Sequence, residues 1–486
     1  MLDDFIYNEI IKNMDFEPLE GQKSVIKDLA HFVSASSSEN EVFLLKGYAG
    51  TGKTTTIAAL VKALNQLKIS SVLLAPTGRA AKVLNNYSGK EAYTIHKKIY
   101  RQQSSKDGFE NFNLDYNSHN NTLFIVDEAS MISNNTTENT FFGSGRLLND
   151  LFEFVYNKKF CKLILIGDTA QLPPVKLDIS PALDINELET FGYEIIEHEL
   201  TEVVRQAQNS GILFNATKLR KILKKTYIEN TTVEFKGYPK IITQGFNDII
   251  KINGSDLIDT LSAVYDKYSD KDVAVICRSN KQANRYNQGI RAQVFYREDE
   301  IISGDLIMVV KNNYFWTENI ETIDFIANGD IAEIIKVKKI SELYGYRFAD
   351  VRLKFRDYNN TELDVKIILD TLHSETASLS YNQNKELFLK IEEDYSEIKN
   401  KKNRLKKIRE NPYFNALQVK FAYAITCHKA QGGQWKNIFI DQGWINQEMI
   451  NKEYLRWLYT AFTRSTEKLY LINFKNEFFP ENEQNH

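Results

Sequence analysis

The sequence predicts an α/β protein of two parallel-sheet domains, the second interrupted by a small β-rich insertion with a helical arm. Three observations predict it. Between Val42 and Asp168, short Val/Ile/Leu-rich runs ("EVFLLKG", "SVLLAP", "TLFIVDE", "KLILIGD") end in turns and are separated by helical stretches, as in a parallel sheet covered on both faces. A second series begins with "DVAVICRSN" at Asp272 and resumes with "AYAITCHKA" and "KLYLINF" near the carboxyl end. From about Ile301 to Pro412 the texture changes: "SGDLIMVVKNNYF", "NGDIAEIIKVKKI" and "YRFADVRLKFRD" read as short antiparallel strands of a small barrel, followed by the charged helical stretch "NKELFLKIEEDYSEIKNKKNRLKKIRE". The boundaries are 1–205 for the first domain, with a small hairpin insertion near 100–120, then 206–300 and 413–486 for the second, and 301–412 for the insertion.

At 486 residues the chain is too long for one core. With 43% hydrophobic and 26% charged residues it has the composition of a soluble globular protein and not of a disordered one. Lys and Arg number 61 against 64 Asp and Glu, a net charge of −3, so a polyanion would have to be held by a local basic track. Cys161, Cys277 and Cys427 lie far apart, without the spacing of a zinc site or disulfide framework, which fits a reducing cytosol. The start "MLDDFIYNEI" is acidic where a secretory signal is basic, and no apolar run approaches the about 20 residues of a membrane span. The expectation is a cytoplasmic protein without a membrane partner.

The chemistry-bearing stretches follow in order. "GYAGTGKT", Gly47 to Thr54, satisfies G-x-x-x-x-G-K-[ST] between a strand and a helix, where backbone N–H groups cradle phosphates, Lys53 reaches the outer phosphates and Thr54 can ligate Mg²⁺. "APTGRAAK" ends the next strand; its free N–H groups, the Thr77 hydroxyl, Arg79 and Lys82 suit a strand phosphate. "LFIVDEAS" carries Asp127, able to hold a Mg²⁺ shell, and Glu128, able to take a proton from water. "LILIGDTAQLPPV" puts the neutral amide of Gln171 before a stiff Pro173-Pro174 pair, which is also what a plain proline-bounded strand exit looks like. Arg464 follows the aromatic-rich "WLYTAFT", where an unpaired charge is costly and an anionic partner is needed.

Together with "LEGQKSVI", "AYTIHKKIY", "LTEVVRQ", "YAITCHKAQGGQW" and "LYTAFTRSTEKLYLI", this ordered set resembles superfamily 1 helicases, most closely the 5′-to-3′ class with the RecD-like and phage Dda-like enzymes. The resemblance runs from Gln22 to about Ile472, and only the phosphate loop is specific taken singly. It implies two RecA-like domains of the P-loop NTPase type, an SH3-like insertion, ATP and Mg²⁺ as cofactors, and single-stranded DNA and duplex forks as partners. The implied activity is ATP-dependent 5′-to-3′ unwinding in replication, repair or recombination.

Residue by residue, the resemblance implies that Gln22 reads the adenine edge and that Gly47, Ala49, Gly50, Thr51, Gly52, Lys53, Thr54 and Thr55 hold ATP, with Gln431 and Gly432 approaching it. Thr54 and Asp127 would hold the metal, and Arg205 and Arg464 would approach the γ-phosphate, where a planar always-charged fork suits the transferring group. The implied DNA contacts are Pro76, Thr77, Arg79, Thr94, His96, Phe109, Thr426, His428 and Lys429. Phe109 lies in "YRQQSSKDGFENFNLDYNSHN", either a strand-separating pin or a surface loop with its aromatics folded inward. Ala332 stands where the family commonly has glycine, and the basic block from Lys399 to Arg409 reads as a solvated helix. Two alternatives remain: an RNA-directed translocase or remodeller, and a nucleotide-switched DNA-binding ATPase without unwinding.

Overall fold

The computed structural model describes residues 2–35, 41–103, 111–136, 143–203, 209–228, 237–317, 320, 323 and 325–481. The first sheet contains β1 (Glu41–Gly47), β2 (Ser71–Ala75), β3 (Ala92–Thr94), β6 (Leu123–Val126), β7 (Lys162–Gly167) and β8 (Glu194–Leu200), in the order β3-β2-β6-β7-β1-β8 and parallel throughout. Its strands alternate between two cores. Val42 and Leu44 of β1 face one cluster with Phe124 and Leu163, while Phe43 and Leu45 face another with Ile57, Leu60 and Ile164. That period of two, apolar on both sides, is why these runs read as continuous hydrophobic stretches. Between β3 and β6, β4 (Tyr100–Gln103) and β5 (Asn111–Leu114) form an antiparallel hairpin.

The second sheet joins β9 (Ile249–Ile252), β10 (Val273–Cys277), β16 (Ala424–Thr426), β17 (Trp435–Asp441) and β18 (Ser465–Ile472) in the parallel order β16-β10-β17-β18-β9. Between β10 and β16 the chain makes a closed barrel from β11 (Leu306–Val309), β12 (Ile331–Leu343), β13 (Tyr346–Phe355), β14 (Thr361–Ile368) and β15 (Leu417–Phe421). The pairings are antiparallel except for β14 with β15. The closing strand lies beyond Pro412, because the arm helices Tyr381–Glu393 and Lys401–Arg409 sit between β14 and β15 rather than after the barrel. The arm is packed, not free: Leu387, Ile391, Leu405 and Ile408 share a core with Phe348 and Ile368.

Entry into the barrel is fixed by the buried Asp305, which accepts from Arg291 Nε and Nη2 and from Arg297 Nη1, each at 2.9 Å. No helix among the described residues is long and apolar enough to cross a membrane.

Candidate functional site

The phosphate loop begins at Gly47, where a Cβ would lie 2.8 Å from Lys53 Cγ; only glycine lets the lysine stem fold over the loop. Gly50 and Gly52 have φ of 75° and 83°, and Gly52 opens the helix Lys53–Gln66, so the first N–H groups of that helix point into the loop. Lys53 Nζ donates to Tyr48 O at 3.0 Å. Thr54 and Thr55 sit in the first helical turn, half-buried. Gln22 is buried with its amide engaged twice: Oε1 accepts from Leu19 N at 2.9 Å, and Nε2 donates to Thr51 O at 3.2 Å. It therefore braces the loop directly.

Asp127 and Glu128 follow β6 in the parallel sheet. Burial, then the neighbouring Glu128, pushes the Asp127 carboxyl up to about 6, although the Glu128 N–H and Lys53 oppose the shift. Glu128 has a φ of 53°, a strained conformation for a residue with a Cβ. Gln171 Oε1 is buried without a hydrogen-bond partner among the described residues. Arg464 reaches in from the second domain, 4% exposed, with Nη1 3.9 Å from Glu128 Oε1 and its remaining donors on Thr460 O, Gly433 O and Thr463 Oγ1. Arg205, the other implied arginine, lies outside the described residues, as does Phe109.

A cavity of about 670 Å³ runs between the first domain, the barrel and the arm. Pro76, Thr77, Thr94 and His96 line its first-domain wall; Tyr314, Phe325, Phe388 and Arg409 are among the residues opposite. The Thr77 hydroxyl caps the helix Gly78–Ser88 by accepting from Ala80 N, and Thr94 does the same for the next helix through Lys97 N. Burial pushes the His96 imidazole down to about 4, so at neutral pH it is uncharged. The hairpin closes one side of the cavity, with the Phe112 ring tilted against Tyr314 at 4.6 Å between ring centroids. Phe112 thus folds inward.

The polar knot after β16 joins cleft and cavity. Gln431 Nε2 donates to Leu172 O at 2.7 Å, next to Gln171, whereas a Cβ on Gly432 would lie 2.9 Å from Ala80 Cβ and 3.1 Å from Thr77 Oγ1. The structure therefore puts Gln431 beside Leu172 and Gly432 against the Thr77 turn, not at the phosphate loop. Thr426 ends β16 and leads into the short helix of His428 and Lys429. Burial pushes Lys429 down to about 8, as it does Lys420, on which Lys429 also acts.

An AAA domain model matches residues 20–224, and a UvrD-like helicase C-terminal domain model matches residues 421–472. The second covers the knot, Arg464, and the strand β17 and helix Lys452–Phe462 between them. These two matches and the helicases among its relatives make the chain similar to the superfamily 1 helicases. Among its relatives are the ATP-dependent DNA helicase dda of Enterobacteria phage T4, 26% identical over 68% of this chain and 70% of that protein, and the RecBCD subunit RecD of Buchnera aphidicola (Schizaphis graminum), 25% identical over 90% and 71%. An uncharacterized protein of Methanocaldococcus jannaschii is 26% identical over 89% of this chain, which spans only 37% of that protein's length.

Two further sequence expectations change in the structure. Arg79 does not line the cavity; its guanidinium lies 3.8 Å over the Trp435 ring, beneath the knot. The shape of "GGQW" explains this, since a Cβ on Gly433 would lie 2.8 Å from Arg79 Nε and leave no room for the stack. Lys82 is ion-paired with Asp357 of the barrel at 2.5 Å, so its charge is already met. Residues missed in sequence include Tyr314, Phe388 and Arg409 of the cavity, and Tyr459. An aromatic in a loop or arm carries no local signal that it faces a neighbouring domain.

Proposed function

We propose that this chain hydrolyses ATP between its two RecA-like domains and uses the cycle to move 5′ to 3′ along single-stranded DNA and open duplex forks. The observation that carries the reading is the knot, which touches the ATP cleft through Gln431 and the strand-contact turn through Gly432. One rigid turn is thereby attached to both ligand regions.

In this reading Lys53 and the helix amino end hold the phosphates, and Gln22 supports the loop near the base. Glu128 accepts a proton from the attacking water, Gln171 offers its free amide oxygen to orient that water, and Arg464 leaves Glu128 for the charge developing on the transferring phosphoryl group. Thr54 and Asp127 are hard oxygen donors that fit Mg²⁺, an ion held by one or two carboxylates plus substrate phosphates, and burial beside a second carboxylate, Glu128, is what raises the Asp127 pKa. When bound, Mg²⁺ would neutralise charge on the outer phosphates.

The cavity would carry the strand, with Pro76, Thr77, Thr94 and a neutral His96 on one wall, and with Thr426, His428 and Lys429 continuing the path onto the second domain. Alternating affinity of the two walls through the ATP cycle gives a directional step. A cytoplasmic setting, and work in replication, repair or recombination, belong to the same proposal. ATP hydrolysis measured alone, with single-stranded DNA and with single-stranded RNA tests it. Stimulation by DNA well above that by RNA is expected, and equal stimulation by both would favour an RNA-capable remodeller.

A further inference from the structure

Tyr459 sits in the helix Lys452–Phe462 of the second domain and is 1% exposed, yet its hydroxyl is spent on the first domain. It donates to Asp168 Oδ2 at 2.6 Å and accepts from the phosphate-loop amide of Ala49 at 2.9 Å. Asp168 is itself 1% exposed and takes the Ala170 N–H on its other oxygen at 2.9 Å. Its charge fixes the direction of the pair: the hydroxyl proton goes to the carboxylate, so only oxygen lone pairs face Ala49.

We propose that the Tyr459 hydroxyl is a positioning group that occupies the phosphate loop in the nucleotide-free enzyme and that the terminal phosphate of ATP displaces it. A backbone N–H serves one strong acceptor at a time, so a phosphate oxygen taking the Ala49 amide breaks one of the two bonds that the Tyr459 hydroxyl makes to the first domain. Tyr459 is followed at once by Thr460, whose hydroxyl accepts from Leu172 N at 2.9 Å, and closely by Arg464. Arrival of the terminal phosphate is thus felt by the segment that must move Arg464. The inference rests on the ATPase reading of the site and goes beyond it by naming a competitor for the phosphate.

The test is equilibrium binding, without DNA, of Mg²⁺-ADP and of a non-hydrolysable Mg²⁺-ATP analogue to the parent chain, Tyr459→Phe and Asp168→Asn, with thermal melting alongside. Tyr459→Phe keeps the ring and removes the competing oxygen. The analogue is expected to bind about fivefold tighter, the size of one net hydrogen bond, while ADP changes by less than twofold. Asp168→Asn weakens the same tether from the other end and should shift the analogue in the same direction. Parent-like affinity for the analogue in both variants, or equal weakening of both nucleotides, overturns the proposal, whatever the melting temperatures do. If the parent binds neither nucleotide, the ATPase reading falls and the latch with it, an outcome distinct from failure in the variants alone.

Discussion

Gln431→Ala removes the side chain that ties the knot to the first domain. Its amide donates to Leu172 O at 2.7 Å, and the two residues are only 6% and 1% exposed, so the carbonyl cannot turn to water when the donor is lost. A net hydrogen bond contributes about 0.5–1.5 kcal/mol, whereas a buried carbonyl left without a donor costs about 1–3 kcal/mol. The second figure applies here, and it shifts the closed form of the cleft by about 5- to 150-fold. The loss falls next to Gln171, on the link between strand and cleft, and on neither ligand itself. Steady-state ATPase with and without an oligonucleotide, paired with fluorescence anisotropy of a labelled strand, reads it. Strand affinity and the unstimulated rate should stay near the parent's while stimulation falls by that factor. Parent-like stimulation, or lost strand binding with full stimulation at saturating strand, would refute the assignment.

Asp305→Ala leaves Arg291 and Arg297 facing each other in a buried site and should destabilise the chain by about 3–5 kcal/mol, seen as a lower denaturant midpoint. The raised Asp127 pKa of about 6 means that its carboxyl is protonated below that pH, so with ATP bound the apparent Mg²⁺ affinity should weaken about tenfold per unit below about pH 6 and level off above about 7. Asp127→Asn should abolish that slope in a Mg²⁺ titration. Tyr381 lines the cavity and is 60% exposed, placed for stacking on a base; Tyr381→Ala should weaken single-strand binding about 5- to 150-fold in anisotropy while the strand-free ATPase rate is unchanged.

The parts of the site legible in sequence are those whose chemistry is local. A phosphate loop needs Gly47, Gly50 and Gly52 at fixed positions because backbone must approach phosphate closely, and Asp127 follows a strand whose four apolar residues announce burial on both faces. Gln431, which the resemblance put near the nucleotide, donates its amide to Leu172 O of the first domain in the structure. What stayed hidden depends on which surfaces meet. Lys82 looked free because Asp357, its partner, is on the barrel, far along the chain. Arg409 sits in a run of lysines that reads as a solvated helix, yet the arm folds back and places it on the cavity wall. The barrel's closing strand was set apart from its sheet by that same arm. Tyr459, inside "WLYTAFT", has the appearance of core packing, and only its hydroxyl partners distinguish it.

Strand displacement with ATP on matched DNA forks, one with a 5′ tail and one with a 3′ tail, tests the central claim most directly. Rapid displacement from the 5′-tailed fork is expected, with little from the 3′-tailed fork and none from either with Lys53→Ala. Faster unwinding of the 3′-tailed fork would contradict the polarity, and strong strand binding with no displacement, retained in Lys53→Ala, would contradict the motor itself.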